Sequence, residues 1–117
     1  MGDVLLSELS VLRLDNNAMT GTIPSDLAML TNLNRLQLSS NSFGGTLPTE
    51  LGLLSSLNFL SFARNDNISG TIPSEIAAMP TLIHLELWQN DLSGTIPSFA
   101  ENRGPLRVLD LVRSIYS

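Results

Sequence analysis

Leucines recur along the chain in a short pattern in which apolar and polar residues alternate. Four complete copies fit L-x-x-L-x-L-x-x-N, with Phe62 in the place of the third leucine in one of them. Alternation over a few residues is typical of a half-buried β-strand. We therefore predict one short strand in each copy, with its leucines in a core. The copies run from Leu9 to Asn17, from Leu33 to Asn41, from Leu57 to Asn65 and from Leu82 to Asn90.

A second motif, Gly-Thr-Ile/Leu-Pro, follows each copy, and its spacing gives the length of the repeat. Its prolines are Pro24, Pro48, Pro73 and Pro97, which lie 24, 25 and 24 residues apart. A period in the twenties predicts a solenoid in which each unit buries its apolar edge against its neighbours. We expect a single domain over 1–117 of about 4.5 repeats, as a piece of a longer protein. The repeats are approximately 9–32, 33–56, 57–81, 82–105 and a partial 106–117, in which Ser114 stands where asparagine is due.

The third unit contains one extra residue, in the stretch Asn65-Asp66-Asn67-Ile68. We expect a local bulge there, because the next Gly-Thr-Ile-Pro resumes in phase. The same stretch holds Asn67-Ile68-Ser69, the one N-x-S/T sequence of the chain and a candidate glycosylation site.

The residues after the prolines predict short helical turns. Ser25-Asp26, Thr49-Glu50 and Ser74-Glu75 each place a capping residue before a carboxylate, which suits the first turn of a helix or 3₁₀ segment. The row Asp26, Glu50 and Glu75 is therefore interpreted as helix-start chemistry. No metal site is expected.

Together these phrases closely resemble the plant-type leucine-rich repeat, L-x-x-L-x-L-x-x-N-x-L-x-G-x-I-P-x-x-L-x-x-L. The resemblance extends from about Leu6 to Leu111. It implies an α/β solenoid: a right-handed superhelix with a parallel β-sheet on its concave face and short 3₁₀ or helical turns on its convex face. It also implies a recognition module that binds a protein or peptide on the strand face, with no cofactor and no catalysis. Proteins that it resembles are receptor-like kinase ectodomains and secreted inhibitors of cell-wall-degrading enzymes, such as polygalacturonase-inhibitor-like proteins.

Composition narrows these expectations. The 117 residues include no cysteine, so the chain lacks the cysteine-paired caps usual in such ectodomains. The net charge is −5, which disfavours nucleic acid. Apolar runs are too short to insert in a membrane, and the N-terminal residues do not form a signal peptide. From the resemblance we expect an extracellular or cell-surface location, as part of a longer, membrane-associated protein.

Outward positions of the predicted strands line up as columns across the sheet. One column contains Val11, Arg35, Phe59, His84 and Val108, and another contains Asp15, Ser39, Ala63, Trp88 and Val112. Phe59, His84, Trp88, Val108 and Val112 are expected to form a partly apolar patch, although missing repeats could cover the two valines. The candidate partner-binding residues are Arg35, Phe59, Arg64, His84, Glu86 and Trp88.

The repeated asparagines Asn17, Asn41, Asn65 and Asn90 have a structural interpretation. Backbone groups lose their sheet partners where a strand turns, and a ladder of asparagine amides can satisfy them. An enzyme is not expected, because the one histidine has no Ser-His-Asp arrangement around it and each glycine phrase belongs to the repeat.

Other functions stay open. Pairs such as Thr20 and Thr22, or Ser69 and Thr71, place two outward hydroxyls on a repeat, as a binder of ice or of a carbohydrate surface would. The repeats could also serve as a structural spacer. Self-association through exposed end strands is a further expectation, because uncovered solenoid ends expose strand edges.

Overall fold

The predicted strands form one parallel sheet on the concave side of a solenoid. The computed structural model describes residues 8–95, Pro97 and 108–110. Each strand pairs with the strand one repeat later, residue for residue, so that Val11, Arg35, Phe59 and His84 share one register position. The predicted columns are therefore confirmed for this position. The strands, in spatial order, are β1 (Val11–Arg13), β3 (Arg35–Gln37), β5 (Phe59–Ser61), β7 (His84–Glu86) and β9 (Val108–Asp110).

A second parallel sheet, which the sequence did not predict, lies where the chain leaves each of the first four concave strands. Its strands are β2 (Thr20–Thr22), β4 (Ser42–Thr46), β6 (Asn67–Gly70) and β8 (Asp91–Leu92). The glycine of each phrase has a positive φ, and at Gly70 (φ +81°) a Cβ would lie 2.9 Å from the Thr46 methyl carbon. Only glycine allows this backbone to pack so closely on the preceding rung.

Short turns follow the prolines on the convex side, as predicted. They are the 3₁₀ segments Ser25–Met29 and Thr49–Leu53 and the helix α1 (Ser74–Ala77). Each contains its carboxylate in the first turn, where negative charge complements exposed amides. The expected capping residues do not cap: the proline itself occupies the N-cap position and no side chain bonds there.

The leucine pattern fills a continuous core between the sheets and the turns. Leu33, Leu57 and Leu82 are fully buried at equivalent positions of three rungs, whereas Leu9, at the same position of the first rung, is partly buried. Burial of one leucine side chain stabilises the fold by about 1.5–3 kcal/mol. The interior rungs therefore supply most of the packing energy.

The asparagines form the predicted ladder at the bend after each concave strand. Asn65, which is completely buried, donates from Nδ2 to the carbonyls of Leu38, Phe62 and Ala63 at 3.0, 2.9 and 3.3 Å. Its Oδ1 accepts from the Phe43 N–H at 3.1 Å. One side chain thus satisfies backbone groups of its own rung and of the preceding rung.

The extra residue of the third unit makes the expected bulge. The Ile68 N–H donates to the Asn65 carbonyl at 2.9 Å and closes a tight turn around Asp66. Beyond the turn, Gly44 pairs with Asn67 and Ser69 pairs with Asp91, so the second sheet continues through the insertion.

Asn65→Ala is expected to lower the free energy of unfolding by roughly 3 kcal/mol, because the buried Phe43 N–H loses its acceptor and three carbonyls each lose one of two donors. Asn17→Ala removes the same chemistry at an exposed site, where water can replace it, and is expected to cost less than about 1 kcal/mol. Urea unfolding of both variants measures the difference. Equal losses would show that the buried ladder does not hold the rungs together.

Candidate partner-binding surface

Three side chains on adjacent concave strands stack face to face. The Arg35 guanidinium carbon lies 3.8 Å from the centroid of the Phe59 ring, and the Phe59 and His84 rings stack with centroids 4.7 Å apart and planes 27° apart. Neighbouring strands of a sheet are about 4.8 Å apart, so flat groups at one register position meet at stacking distance. We call Arg35, Phe59 and His84 the concave stack.

Hydrogen bonds along the strands hold both ends of the stack. Arg35 donates from Nε and Nη2 to Gln37 Oε1 at 3.1 and 3.0 Å. At the other end, His84 Nε2 and Glu86 Oε2 are 2.8 Å apart. Each pair is two residues apart on one strand, which places both side chains on the same face. The stack is therefore supported by hydrogen bonds at both ends.

Small side chains lie beside the stack on β5 and just after it. Ser61 is fully buried between Gln37 and Glu86 at the same register position, and Ala63 is 1% exposed. Trp88, one repeat after Ala63, is partly buried, and its carbonyl accepts from the Arg64 N–H at 3.0 Å. The surface is thus recessed at Ser61 and Ala63, and larger side chains lie on the flanking strands β3 and β7.

Charges on this face are separated along the solenoid. Arg13 and Asp15 approach within 3.8 Å on the first rung. Arg35 has no carboxylate within ion-pair distance in the described part of the chain, and Glu86 is paired there only with His84. The stack therefore presents a guanidinium at one end and a carboxylate at the other.

Arg64 lies outside the concave stack. It has a positive φ of 60°, as do Asn16, Ser40 and Gln89 at the equivalent positions, with φ of 60°, 56° and 59°. This left-handed turn takes the chain from the first sheet to the second. Arg64 there lines a polar cleft of about 310 Å³ at the flank of the solenoid, and the other polar residues of the cleft include Asn17, Ser40, Ser42, Asp66 and Gln89.

The six candidate residues are thus divided between two surfaces. Arg35, Phe59, His84 and Glu86 form one connected group, with Trp88 on the same side, while Arg64 belongs to the cleft. Sequence reasoning missed Gln37, which orients Arg35, and the cleft residue Asp66; the alternation alone could have placed Gln37 beside Arg35. The side chains of Val108 and Val112 lie outside the described residues.

The described residues carry acidic side chains on both the concave and the convex side. They contain no group of three histidine, cysteine or acidic side chains placed to hold a metal ion. Asp26, Glu50 and Glu75 are exposed in three separate convex turns. Within the same residues, no helix is long and apolar enough to cross a membrane. The concave surface combines stacked side chains with hydrogen bonds along its strands.

A parallel-stranded solenoid with short turns on its convex side defines the class of solenoid repeat proteins. Residues 8–30 and 32–54 match the Leucine Rich Repeat family. A search of curated proteins returns no match to this sequence. Together with the solved structures below, the match places the chain in the leucine-rich-repeat family, as a domain of the plant type.

Solved structures of plant proteins are similar over nearly the whole chain. The ectodomain of the membrane receptor kinase GASSHO1/SCHENGEN3 from Arabidopsis thaliana, in complex with CASPARIAN STRIP INTEGRITY FACTOR 2, has 35% identity and a TM-score of 0.89 over 99% of this chain. The plant peptide hormone receptor RGFR1, in complex with RGF2, has 36% identity and a TM-score of 0.87 over 94%. A plant ice-binding protein has 30% identity and a TM-score of 0.83 over 95%.

The chain corresponds to a limited part of each of these proteins. It spans 14% of the GASSHO1/SCHENGEN3 ectodomain, 18% of RGFR1 and 36% of the ice-binding protein. The likenesses establish the repeat and its fold.

Phe59→Leu is expected to move the imidazole proton resonances of His84 toward their solvent-exposed positions, because it removes the stacked ring at 4.7 Å but keeps apolar volume. His84 is the one histidine of the chain, so its signals need no assignment. Proton–carbon NMR spectra of the parent and the variant measure the change. Met29→Ser, on the exposed convex side, is the control and should leave the resonances in place. Unchanged His84 signals in F59L would contradict the stack.

Proposed function

We propose that this chain is a recognition segment of an extracellular or cell-surface protein and binds a peptide, or an extended segment of a protein, on its concave face. The observation that carries the proposal is the concave stack, which is partly exposed and held in place by Gln37 and Glu86. We assign no cofactor and no reaction to this segment. A rigid surface binds with a smaller loss of conformational entropy than a flexible one.

The aromatic side chains cannot supply the binding energy alone. Phe59 and Trp88 would each bury about 150–250 Å² if fully exposed before binding. Both are already partly buried, so the area left for a partner is worth at most about 4 kcal/mol at 25 cal/mol per Å². Association costs of roughly 4–15 kcal/mol exceed that gain. The partner must therefore also bond to polar groups of the surface.

The charges indicate which polar groups a partner would carry. The guanidinium of Arg35 retains N–H groups that Gln37 does not use, and it has no carboxylate partner among the described residues. It suits an acceptor such as a carboxylate or a carbonyl. Glu86, at the other end of the stack, suits a donor. We infer that the segment crosses the strands, with an acceptor near Arg35 and a donor near Glu86.

The similar receptors support a binding function. RGFR1 is described as a peptide hormone receptor, and the GASSHO1/SCHENGEN3 ectodomain was solved in complex with CASPARIAN STRIP INTEGRITY FACTOR 2. Those activities belong to those proteins. They agree with the proposal that this chain recognises a peptide or protein outside the cell.

Selection from a random 12-residue peptide library displayed on phage, with the immobilised chain as bait, tests the proposal. Enriched peptides are expected to bind Phe59→Leu, Arg35→Met and Trp88→Ala at least about tenfold more weakly than the parent, as for residues at the centre of an interface. Surface plasmon resonance with the synthetic peptides measures the affinities.

Two convex variants, Met29→Ser and Leu53→Ser, are matched controls, because both side chains are apolar and exposed, at 71% and 66%. Peptides that bind every variant equally would show that the concave stack is the wrong surface. Failure to enrich any peptide on a folded chain would favour the structural spacer instead.

A second function is favoured by one observation: the hydroxyl-rich outer face of the second sheet. Thr20, Thr22, Thr46 and Thr71 are exposed there, and a plant ice-binding protein is among the similar structures. However, the strands of the second sheet do not pair at equivalent positions of successive repeats: Thr20 pairs with Ser42, and Thr46 pairs with Ser69. Asn67 and Asp91 interrupt the resulting rows. We therefore rank binding to ice or to a carbohydrate surface second.

Thermal hysteresis distinguishes the two functions. We expect a value indistinguishable from that of buffer, because the hydroxyl rows are short and interrupted. A clear hysteresis that the T46K/T71K double variant abolishes would establish the second function in place of the first. Arg13→Gln, an exposed change on the first sheet, controls for altered surface charge.

A further inference from the structure

The sequence Asn67-Ile68-Ser69 has no role in the concave surface. Asn67 follows the one-residue insertion and begins β6. Ile68 is fully buried, whereas Asn67 is exposed and Ser69 is partly exposed. Because side chains alternate along a strand, Asn67 and Ser69 lie together on the outer face of the second sheet. The bulge thus presents the asparagine and its hydroxyl partner on the same side.

Asn67 differs from the asparagines that support the fold. Asn65 and Asn90 donate to main-chain carbonyls from buried positions, and Asn58 donates to the Thr81 carbonyl of the next rung. In the described part of the chain, the Asn67 amide and the Ser69 hydroxyl have no hydrogen-bond partner. Modification of the Asn67 amide would therefore break no side-chain hydrogen bond among the described residues.

The neighbouring strands leave space around Asn67. Its register partner on β4 is Gly44, where a Cβ would lie only 3.3 Å from the Asn67 Cβ. On the other side, pairing with β8 begins at Ser69, which is opposite Asp91. The amide is therefore not enclosed by a side chain at its own register position on either flank.

We propose that Asn67 carries an N-linked glycan. The Asn67 Nδ2 would attack the anomeric carbon of a pyrophosphate-linked lipid oligosaccharide: a C–N bond forms, the C–O bond to the pyrophosphate breaks, and the amide proton leaves with a base of the transferase. The lipid pyrophosphate is the leaving group. This proposal rests on the extracellular route assigned under the proposed function, because that route passes the transferase.

The glycan would cover the hydroxyl face and leave the concave stack free. Asn67 shares a register position with Gly44 on β4 and Thr22 on β2. The neighbouring row of outward residues on the same sheet consists of Thr46, Ser69 and Asp91. A bulky, hydrated sugar at this position prevents flat contact with the second sheet. The concave stack belongs to the other sheet, so peptide recognition there would continue.

Secretion of the full chain from plant cells, directed by an added secretion signal, tests the modification by intact-mass spectrometry. The parent is expected to carry one glycan, Ser69→Thr to carry it at equal or higher occupancy, and both Ser69→Ala and Asn67→Gln to carry none. Release by peptide N-glycosidase A should leave aspartate at position 67. A folded, secreted parent and S69T variant that both have the unmodified mass would overturn the proposal.

Single introduced cysteines test where the glycan lies, because the chain contains no cysteine of its own. Labelling of T46C by a polyethylene-glycol maleimide is expected to be several-fold slower with the glycan than after its release. Labelling of R13C, on the first sheet, should not change. Equal rates for T46C in both forms would show that the glycan does not cover the second sheet. The peptide selection uses the unglycosylated chain, so its failure would be a separate result.

Discussion

At the bends after β3, β5 and β7, backbone groups leave the sheet and a buried asparagine side chain satisfies them. Asn65 does this for both its own rung and the preceding one, through Leu38, Phe62, Ala63 and Phe43. An unpaired buried polar group costs about 1–3 kcal/mol, so the ladder determines how one rung can be placed on the next. The leucine side chains of the core fill the interior between rungs that are placed in this way.

The surface chemistry follows from the same spacing. Because the rungs repeat in register, the flat groups of Arg35, Phe59 and His84 lie one strand apart, which is also the distance at which rings stack. A surface of stacked planar groups is obtained by placing planar side chains in one column, with no further adjustment of the backbone. In the described part of the chain, the spacing of the rungs thus determines both the scaffold and the arrangement of the side chains on its surface.

The framework was predictable because it depends on residues that recur in every unit. The leucine spacing predicted the concave strands, and Asn65 and Asn90 predicted the ladder. The second sheet was not predicted, since its strands are staggered and contain glycines that pack on the preceding rung, as Gly70 does on Thr46.

The candidate site was predictable only in part. The alternation placed Phe59 and His84 together correctly, but Arg64 was assigned to the same surface. The positive φ of Arg64 places this residue at the flanking cleft. The sequence does not indicate that conformation, because asparagine or glycine is the usual residue with a positive φ. The contact between Arg35 and Gln37 depends on side-chain conformations that spacing does not specify.

Proton–nitrogen NMR spectra recorded during titration with a selected peptide would test the central claim most directly. Recognition by the concave stack predicts that the largest shifts occur at Arg35, Phe59, His84 and the indole N–H of Trp88, the one tryptophan of the chain. Resonances of the second sheet, such as those of Thr46 and Asn67, should move little. Shifts confined to the second sheet or to the convex turns would contradict the account.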